Sequence, residues 1–248
     1  MRISAMFLAS AALLATACNA EKGTSTTGNG AEVTAAPVPA PNNGDWSTIV
    51  TKTAEGGFLM GNPNAKVKLV EFGSMTCPHC AEFEEQGGKA LVDNYVKKGL
   101  VSWEFRNFVR DPYDMTATLL ARCGGEANFF GMTRTMFHDQ KNWIGKIQAA
   151  DPAQLQALQG MQPAQQFSTI ADLTGLKTFA AQRGVPRAKA DQCLGNETDI
   201  NQLVQMNSDA VSSYNIPGTP AFLINGALAA ETATWEKLEP QIKDALAS

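Results

Sequence analysis

The sequence predicts an α/β fold that is interrupted by a long all-helical segment. Strand patterns occur at Lys66–Phe72 ("KVKLVEF") and at 100–108 ("LVSWEFRNF"), with helical spacing between them. Residues 111–213 show helical patterns without strands, and a third β pattern begins at "TPAFLING". Because strand, helix and strand follow one another closely, the first two strands should be parallel neighbours in a βαβ unit.

The first 45 residues have the features of an export leader followed by a linker. Arg2 precedes an apolar run that is short for a membrane span, so residues 1–17 are predicted to be a signal peptide. Two cleavage patterns overlap, since "ATA" suits ordinary signal peptidase and "LATAC" resembles a bacterial lipobox in which Cys18 is lipidated. Residues 18–45 are rich in small and polar residues, which predicts a disordered tether and favours a lipid anchor over plain secretion.

The bulk composition excludes one class of partner. The chain has 248 residues, of which 44% are hydrophobic, so it is large enough to bury a core. Its net charge of -4 leaves no basic patch of the size that nucleic acid binding needs. Nucleic acid is therefore not expected as a partner.

The predicted first strand carries an acid among apolar residues. Side chains alternate from one face of a strand to the other, so Glu71 shares a face with Val67 and Leu69. We do not expect a carboxylate at this position to be fully solvated. The alternative is an acid that reaches solvent past the end of the strand.

A helix and a second strand complete the first part of the fold, residues 46–110. Apolar residues recur at helical spacing after the first strand, and the pair Gly87-Gly88 predicts a bend or break in that helix. The second strand alternates apolar and polar residues, which predicts that it is half exposed.

The helical segment 111–213 is long enough to form a lobe with its own core. The β pattern returns in residues 214–248, where Ala221–Ile224 predicts a strand and Asn225-Gly226 predicts a hairpin turn before a partner strand at 227–229. A final helix should cover the sheet. Its apolar stripe consists of Trp235, Leu238, Ile242 and Leu246.

Cys77 and Cys80, the cysteines of "CPHC", allow three kinds of site. Structural zinc takes four ligands, yet the sequence has no second C-x-x-C and a single histidine outside the motif, so a metal site is disfavoured. A purely structural disulfide would close too small a loop to restrain the unfolded chain. A redox-active pair that exchanges disulfides is therefore the interpretation that these observations favour.

The position of this pair between a strand and a helix suits redox chemistry. Cys77 is expected at the helix N-terminus, with Pro78 in the first helical position and the Cys77 sulfur alone exposed. The helix dipole lowers the pKa of a thiol by roughly one unit, so His79 is expected to stabilise the thiolate further. A stabilised thiolate favours the reduced form and makes the disulfide an oxidant, with no bound cofactor needed.

The combination of "FGSMTCPHC", an all-helical insertion and "IPGTPAFLING" resembles the DsbA-like branch of the thioredoxin-fold thiol-disulfide oxidoreductases. The resemblance extends from Trp46 to the C-terminus. It implies a thioredoxin fold with an inserted all-helical domain, and it makes Pro220 a cis-proline that faces the cysteines, with Thr219 before it. It also implies that Glu71 helps to move a proton to or from Cys80.

The resemblance implies an enzyme that introduces disulfides into reduced or unfolded proteins of the periplasm. Such enzymes are recharged by a quinone-linked membrane oxidase of the DsbB type. Pro78-His79 favours this oxidase, whereas Thr219 is shared with isomerase and reductase branches, so an isomerase or reductase stays open as the alternative. A thiol-based metal-binding protein is a second alternative.

Two further cysteines and a methionine complete the candidate residues. Cys123 and Cys193 lie far apart in the predicted insertion, and in an oxidising compartment we expect them to form a structural disulfide. The alternative is a pair of buried free thiols. Met75, close to the "CPHC" motif, is expected to line a hydrophobic patch that receives unfolded substrate.

Overall fold

A six-stranded sheet organises the described part of the chain. The computed structural model describes residues 36–41 and 44–248, so the predicted signal peptide, Cys18 and most of the predicted tether lie outside the described residues. The strands, in chain order, are β1 (Val50–Lys52), β2 (Phe58–Met60), β3 (Val67–Gly73), β4 (Val101–Asn107), β5 (Ala221–Ile224) and β6 (Ala227–Leu228). Their order across the sheet is β1-β2-β4-β3-β5-β6.

The two central strands, β3 and β4, are parallel, as the βαβ pattern predicts. β2 pairs antiparallel with β4, and β5 pairs antiparallel with β3. The predicted strand at Lys66–Phe72 therefore lies at the centre of the sheet, and the predicted strand at Ala221–Ile224 lies between it and the edge strand β6. The hairpin of β1 and β2 has no counterpart in the prediction, because strands of three residues are too short to show an alternating pattern.

β4 is buried along its whole length, so the prediction of a half-exposed strand is wrong. Its polar residues pair with each other, since Arg106 donates hydrogen bonds of 2.8 and 2.9 Å to the two carboxylate oxygens of Glu104. The hydroxyl of Tyr214 accepts a further hydrogen bond from Arg106 at 3.2 Å. The ion pair and the hydrogen bonds thus allow polar side chains to be buried on the face of β4 that the alternating pattern predicts to be exposed.

A π-helical turn lies at the two glycines where a bend or break is predicted, within one helical stretch that runs through residues 78–96. The stretch consists of α1 (Pro78–Phe83), a π-helical turn (Glu84–Gly88), α2 (Lys89–Leu91) and a second π-helical turn (Val92–Val96). The two glycines also allow close packing. A Cβ atom at Gly87 would lie 2.6 Å from the Cβ of Trp235, and one at Gly88 would lie 2.5 Å from the carboxylate of Glu84.

Helices alone connect β4 to β5, which is the predicted all-helical insertion. They are α3 (Pro112–Cys123), α4 (Glu126–His138), α5 (Gln140–Gln148), α6 (Pro152–Leu158), α7 (Pro163–Leu173), α8 (Leu176–Ala181), α9 (Arg187–Leu194) and α10 (Glu197–Tyr214). One apolar cluster extends from the sheet into these helices, so the insertion and the sheet share a core. Phe105 of β4 and Phe129 of α4, for example, have ring centroids 5.8 Å apart.

The last part of the chain returns to the sheet as predicted. Asn225 and Gly226 both have positive φ and form the turn between β5 and β6. α11 (Trp235–Ala247) then buries Leu238, Ile242 and Leu246 of the predicted stripe.

Val38 attaches the beginning of the described chain to the fold. Its N–H group donates to the carbonyl oxygen of Lys98 at 2.8 Å, and its carbonyl oxygen accepts a hydrogen bond of 2.9 Å from Nε1 of Trp46. The folded part therefore begins before Trp46, and residues near the end of the predicted tether, 18–45, contact the domain.

Candidate active site

Cys77 and Cys80 lie where the chain passes from β3 to α1. Cys77 is the N-cap residue of α1, Pro78 lies in the first turn of the helix, and Cys80 follows within that turn. Both cysteines are free thiols. Cys77 is 3% exposed and Cys80 is 0% exposed, so the prediction of an exposed Cys77 sulfur is wrong in this dithiol form. The loop that contains Thr219 lies against Cys77 and covers it.

This loop, which precedes β5, faces the cysteines. The peptide bond between Thr219 and Pro220 is cis. Sγ of Cys77 lies 3.2 Å from the carbonyl oxygen of Thr219, which accepts a hydrogen bond from Cys77 when that sulfur is protonated. The structure therefore brings together two motifs that are separated by the whole helical insertion.

The two sulfurs differ in acidity. The pKa of Cys77 is lowered to about 4, and the hydrogen bond from the Cys80 thiol makes the largest contribution. The side chain of Thr219 and the main-chain N–H groups of Cys80 and His79 also lower this pKa. Burial raises the pKa of Cys80, and its interactions with Cys77 and the Glu71 carboxylate raise it further. At neutral pH the pair thus carries a thiolate on Cys77 and a thiol on Cys80.

Glu71 is buried on β3 with an exposed fraction of 1%, so the alternative of an acid that reaches solvent is wrong. Nε1 of Trp103, on the neighbouring strand β4, donates a hydrogen bond to the Glu71 carboxylate at 3.1 Å. Burial, followed by the charge of Glu84, raises the pKa of Glu71 well above its ordinary value of 4.5. Since the charge of Glu71 raises the pKa of Cys80 in turn, the carboxyl group and the second sulfur influence each other.

Pro78 and His79 are exposed at the start of α1. The main-chain N–H group of His79 is one of the groups that stabilise the Cys77 thiolate. The role of the imidazole ring stays a prediction.

Gln140 contributes to the site although the sequence gives no sign of it. It is the first residue of α5, it is 4% exposed, and its Nε2 donates to the carbonyl oxygens of Met75 and Cys77 at 2.8 and 2.9 Å. Amphipathic spacing assigns no role to a glutamine at the start of a helix. The role of Gln140 can be recognised only from its tertiary contact with the loop that precedes α1.

Asp114, in the first turn of α3, is a second residue that the sequence analysis missed. Its carboxylate accepts hydrogen bonds from the Ser74 hydroxyl at 2.6 Å and from the Met75 N–H group at 2.8 Å. Burial raises the pKa of Asp114 to about 6. A signal was present, because Asp111 and Pro112 are typical of a helix start and mark the turn in which Asp114 lies.

Met75 is fully buried, so the prediction that it lines a patch for unfolded substrate is wrong. Its side chain belongs to the apolar core. A groove of about 430 Å³ instead lies beside the cis-proline loop. Its lining includes Pro217, Thr219, Pro220, Leu228, Ala229 and Thr232.

A disulfide joins Cys123, at the end of α3, to Cys193 in α9. The S–S distance is 2.01 Å and the Cα atoms are 5.8 Å apart. The bond links two helices of the insertion, while Cys77 and Cys80 are the free cysteines among the described residues.

Residues 36–41 and 44–248 lack two kinds of feature. These residues contain no group of three or more His, Cys, Asp or Glu side chains placed to hold a metal ion. No helix in the same ranges has both the length and the apolar character of a membrane span.

Comparison with known proteins agrees with the fold. A central sheet, a helical insertion, and a C-x-x-C helix start that faces a cis-proline define a thioredoxin-fold protein of the DsbA-like kind. Residues 53–244 match the family described as thioredoxin, and the chain belongs to that family. A solved protein-disulfide isomerase from Novosphingobium aromaticivorans is 39% identical with a TM-score of 0.73, and the match covers 77% of this chain and 97% of that one.

Two further comparisons show how much of the chain is similar to known proteins. The α-DsbA1 structure from Wolbachia pipientis shares the fold, with a TM-score of 0.62 at 20% identity over 85% of this chain and 94% of its own. A Rickettsia felis relative, provisionally named a protein-disulfide oxidoreductase, is 25% identical over 72% of this chain and 56% of its own length. The chain thus spans between half and two thirds of such rickettsial relatives. The predicted thioredoxin fold with a helical insertion is confirmed.

Proposed function

We propose that the chain is an exported protein-disulfide oxidoreductase that introduces disulfides into other proteins by exchange at Cys77 and Cys80. The observation that carries the proposal is the contrast between an acidic sulfur at the helix N-terminus and a buried, weakly acidic sulfur one turn further along. An acidic Cys77 favours the reduced pair and so makes the disulfide form an oxidant. The names of the Novosphingobium and Rickettsia relatives support disulfide chemistry.

The first step forms a mixed disulfide. A substrate thiolate attacks Sγ of Cys77 in the oxidised pair, the bond between Cys77 and Cys80 breaks, and Cys80 departs with the electron pair. Because burial disfavours a charge on Cys80, this sulfur takes up a proton as it leaves. We assign the delivery of that proton to Glu71, whose raised pKa keeps a proton available.

The second step releases the product. A second substrate thiolate attacks the substrate sulfur of the mixed disulfide, and Cys77 departs as a stabilised thiolate. The substrate dithiol has then lost two electrons and become a disulfide, while the pair Cys77-Cys80 has gained them. No bound cofactor takes part in the exchange, and an external oxidant must restore the pair.

Trapping of the intermediate tests this assignment. Cys80→Ser, with Cys77 first joined to thionitrobenzoate by Ellman's reagent, should form a stable mixed disulfide with a reduced protein that has a single cysteine. The substrate thiolate displaces thionitrobenzoate from Cys77, and no second thiol is then present to release the substrate. Cys77→Ser should form none. Non-reducing electrophoresis followed by peptide mapping reads out the adduct, and an adduct that forms equally well without Cys77 would contradict the proposal.

The proposed setting is the periplasm, with the protein held to the membrane through lipid on Cys18. The export pattern of residues 1–17 and the lipobox "LATAC" support it, and substrates would be reduced or unfolded exported proteins. A quinone-linked membrane oxidase of the DsbB type is the proposed source of oxidising equivalents. Intact mass of the mature protein tests the anchor, because an unmodified N-terminus without acyl chains would rule it out.

Disulfide isomerisation is the second candidate. Two observations favour it, namely Thr219 before the cis-proline and the name of the 39% identical Novosphingobium protein. An isomerase would restore activity to a scrambled, fully oxidised substrate and would do so best when it starts reduced. An oxidase would act on the reduced substrate and would have to start oxidised.

A further inference from the structure

The segment that leads into Cys77 is held by the helical insertion rather than by the sheet alone. On one side, Nε2 of Gln140 lies 2.8 Å from the carbonyl oxygen of Met75 and 2.9 Å from that of Cys77. Both carbonyl groups face the protein interior, and Gln140 itself is 4% exposed. A buried carbonyl group that loses its donor pays the cost of desolvation, so these contacts fix the main chain at the active-site cysteine.

The Cys77 carbonyl group is also the first acceptor of α1. It accepts a hydrogen bond from the Ala81 N–H group at 3.3 Å, and Gln140 occupies its remaining acceptor capacity. The orientation of this peptide group decides where the Cys77 side chain leaves the main chain. It therefore decides how closely Sγ approaches the N–H groups of the first helical turn and the loop at Thr219.

On the other side, Asp114 of α3 and Arg110, which precedes the insertion, hold the preceding three positions. Asp114 is fully buried and accepts from the Ser74 hydroxyl at 2.6 Å and from the Met75 N–H group at 2.8 Å. Arg110 donates from Nε to the Ser74 hydroxyl and from Nη2 to the Thr76 hydroxyl, both at 2.9 Å. Every residue from Ser74 to Cys77 thus has a hydrogen bond to Arg110, Asp114 or Gln140.

We infer that Gln140 and Asp114 are positioning residues of the active site, which hold the segment 74–77 so that Sγ of Cys77 lies against the N-terminus of α1. They touch neither sulfur and act through the main chain. The insertion thereby takes part in setting the acidity of the nucleophile. The inference rests on the proposed function in one respect, because it takes Cys77 as the reacting thiol.

Thiolate absorbance near 240 nm in the reduced full chain measures this effect. Gln140→Met keeps the length of the side chain and removes both donors, so we expect the acid dissociation constant of Cys77 to fall by about tenfold, on the order of one hydrogen bond. Gln166→Met is the matched control, since Gln166 also donates to a main-chain carbonyl of the insertion, that of Leu158 at 2.8 Å, away from the cysteines. The control should titrate like the wild type.

A second pair of variants, with thermal midpoints, separates an effect on the acidity of Cys77 from an effect on folding stability. Asp114→Asn preserves shape and weakens acceptance from Ser74 and Met75, and Asp151→Asn does the same at another N-terminal helix turn, where Asp151 accepts from the Ala153 N–H group at 2.7 Å. Thermal midpoints are measured beside each titration. A merely structural role would lower the midpoint and leave the Cys77 titration unchanged, and that result would overturn the inference.

Different results would contradict the proposed function and the positioning role of Gln140 and Asp114. If the wild-type protein shows no acidic thiol, the proposed function fails before any variant is compared. If the wild type shows the acidic thiol and both Gln140→Met and Asp114→Asn keep it, the inference alone fails. A lowered acidity in these two variants with unchanged controls supports both.

Discussion

At the scale of single residues, the chemistry depends on how differently the protein treats two identical side chains. Cys77 lies at a helix end, where N–H groups favour negative charge, whereas Cys80 is fully enclosed with Glu71 nearby. The sequence predicts the first environment from the position of the motif after a strand. It does not predict the enclosure of Cys77, because the loop at Thr219 that covers it comes from a distant part of the chain.

His79 gives the first prediction at this scale. His79→Ala should make the disulfide less oxidising, because the variant loses the imidazole that we expect to stabilise the Cys77 thiolate while it keeps the main-chain N–H group. We expect a drop in potential of roughly 30 mV, which corresponds to about 1.4 kcal/mol. Equilibration with glutathione measures it, and His138→Ala, at the end of α4, is the control. An unchanged potential would show that the main chain alone sets the acidity of Cys77.

Glu71 gives a prediction about pH. Its pKa is raised in the folded protein, so its contribution to stability is complete below the ordinary value of 4.5 and is lost as the pH rises through the folded value. Glu71→Gln cannot ionise and can still accept the hydrogen bond from Trp103. In the oxidised protein, the variant should therefore gain stability relative to the wild type between about pH 5 and pH 8.

Urea unfolding at both pH values measures that difference. The exposed residue Glu85 offers a control, Glu85→Gln, that should show a smaller dependence. An offset between Glu71→Gln and the wild type that is the same at both pH values would contradict the burial of a titrating acid at this position.

At the scale of elements, the sequence pattern predicts the type and order of the helices and strands better than it predicts which of their faces are buried. The strands at 66–72 and 221–224, the turn at Asn225-Gly226 and the last helix have periodicities or turn residues that act locally. β4 was placed in the right position, but its burial depends on the pairing of Arg106 with Glu104 and Tyr214, which no local pattern shows. Helix propensity predicts a bend or break at the two glycines, where the structure has a π-helical turn within a continuous helical stretch.

Gly87 tests the role of packing in this continuous helical stretch. Gly87→Ala should destabilise the protein by roughly 1–3 kcal/mol despite the better helix propensity of alanine, because the new Cβ would lie 2.6 Å from Trp235. Gly145→Ala in α5 is the matched control, as nothing lies within 4 Å of its added Cβ. The control should stabilise by about 0.5–1 kcal/mol. Urea denaturation measures both, and stabilisation by Gly87→Ala would contradict the packing role.

At the scale of the whole molecule, the insertion and the sheet share one core and one active site. The sequence predicts that helices are inserted, because their periodicity is local, but it does not predict that they pack into the same apolar cluster as the sheet. The contributions of Gln140 and Asp114 are hidden for the same reason. Each is an ordinary polar residue near a helix start until the chain folds back on the segment 74–77.

The disulfide between Cys123 and Cys193 should stabilise this assembly. Its cysteines are 70 residues apart, so the double variant Cys123→Ala/Cys193→Ala should lose about 4 kcal/mol of unfolding free energy in the chain-entropy model. Denaturant titration under oxidising conditions measures the loss. Dithiothreitol should bring the wild type toward the double variant, and an equal midpoint for both oxidised proteins would contradict a stabilising bond.

The central claim is that a stabilised Cys77 thiolate makes the Cys77-Cys80 disulfide an oxidant, and equilibrium with glutathione measures it directly. A disulfide with this stabilised thiolate should have a potential between roughly -180 and -120 mV, the range of protein disulfide isomerase and DsbA. A potential near roughly -270 mV, that of thioredoxin, would contradict it and would identify a reductase on the same fold.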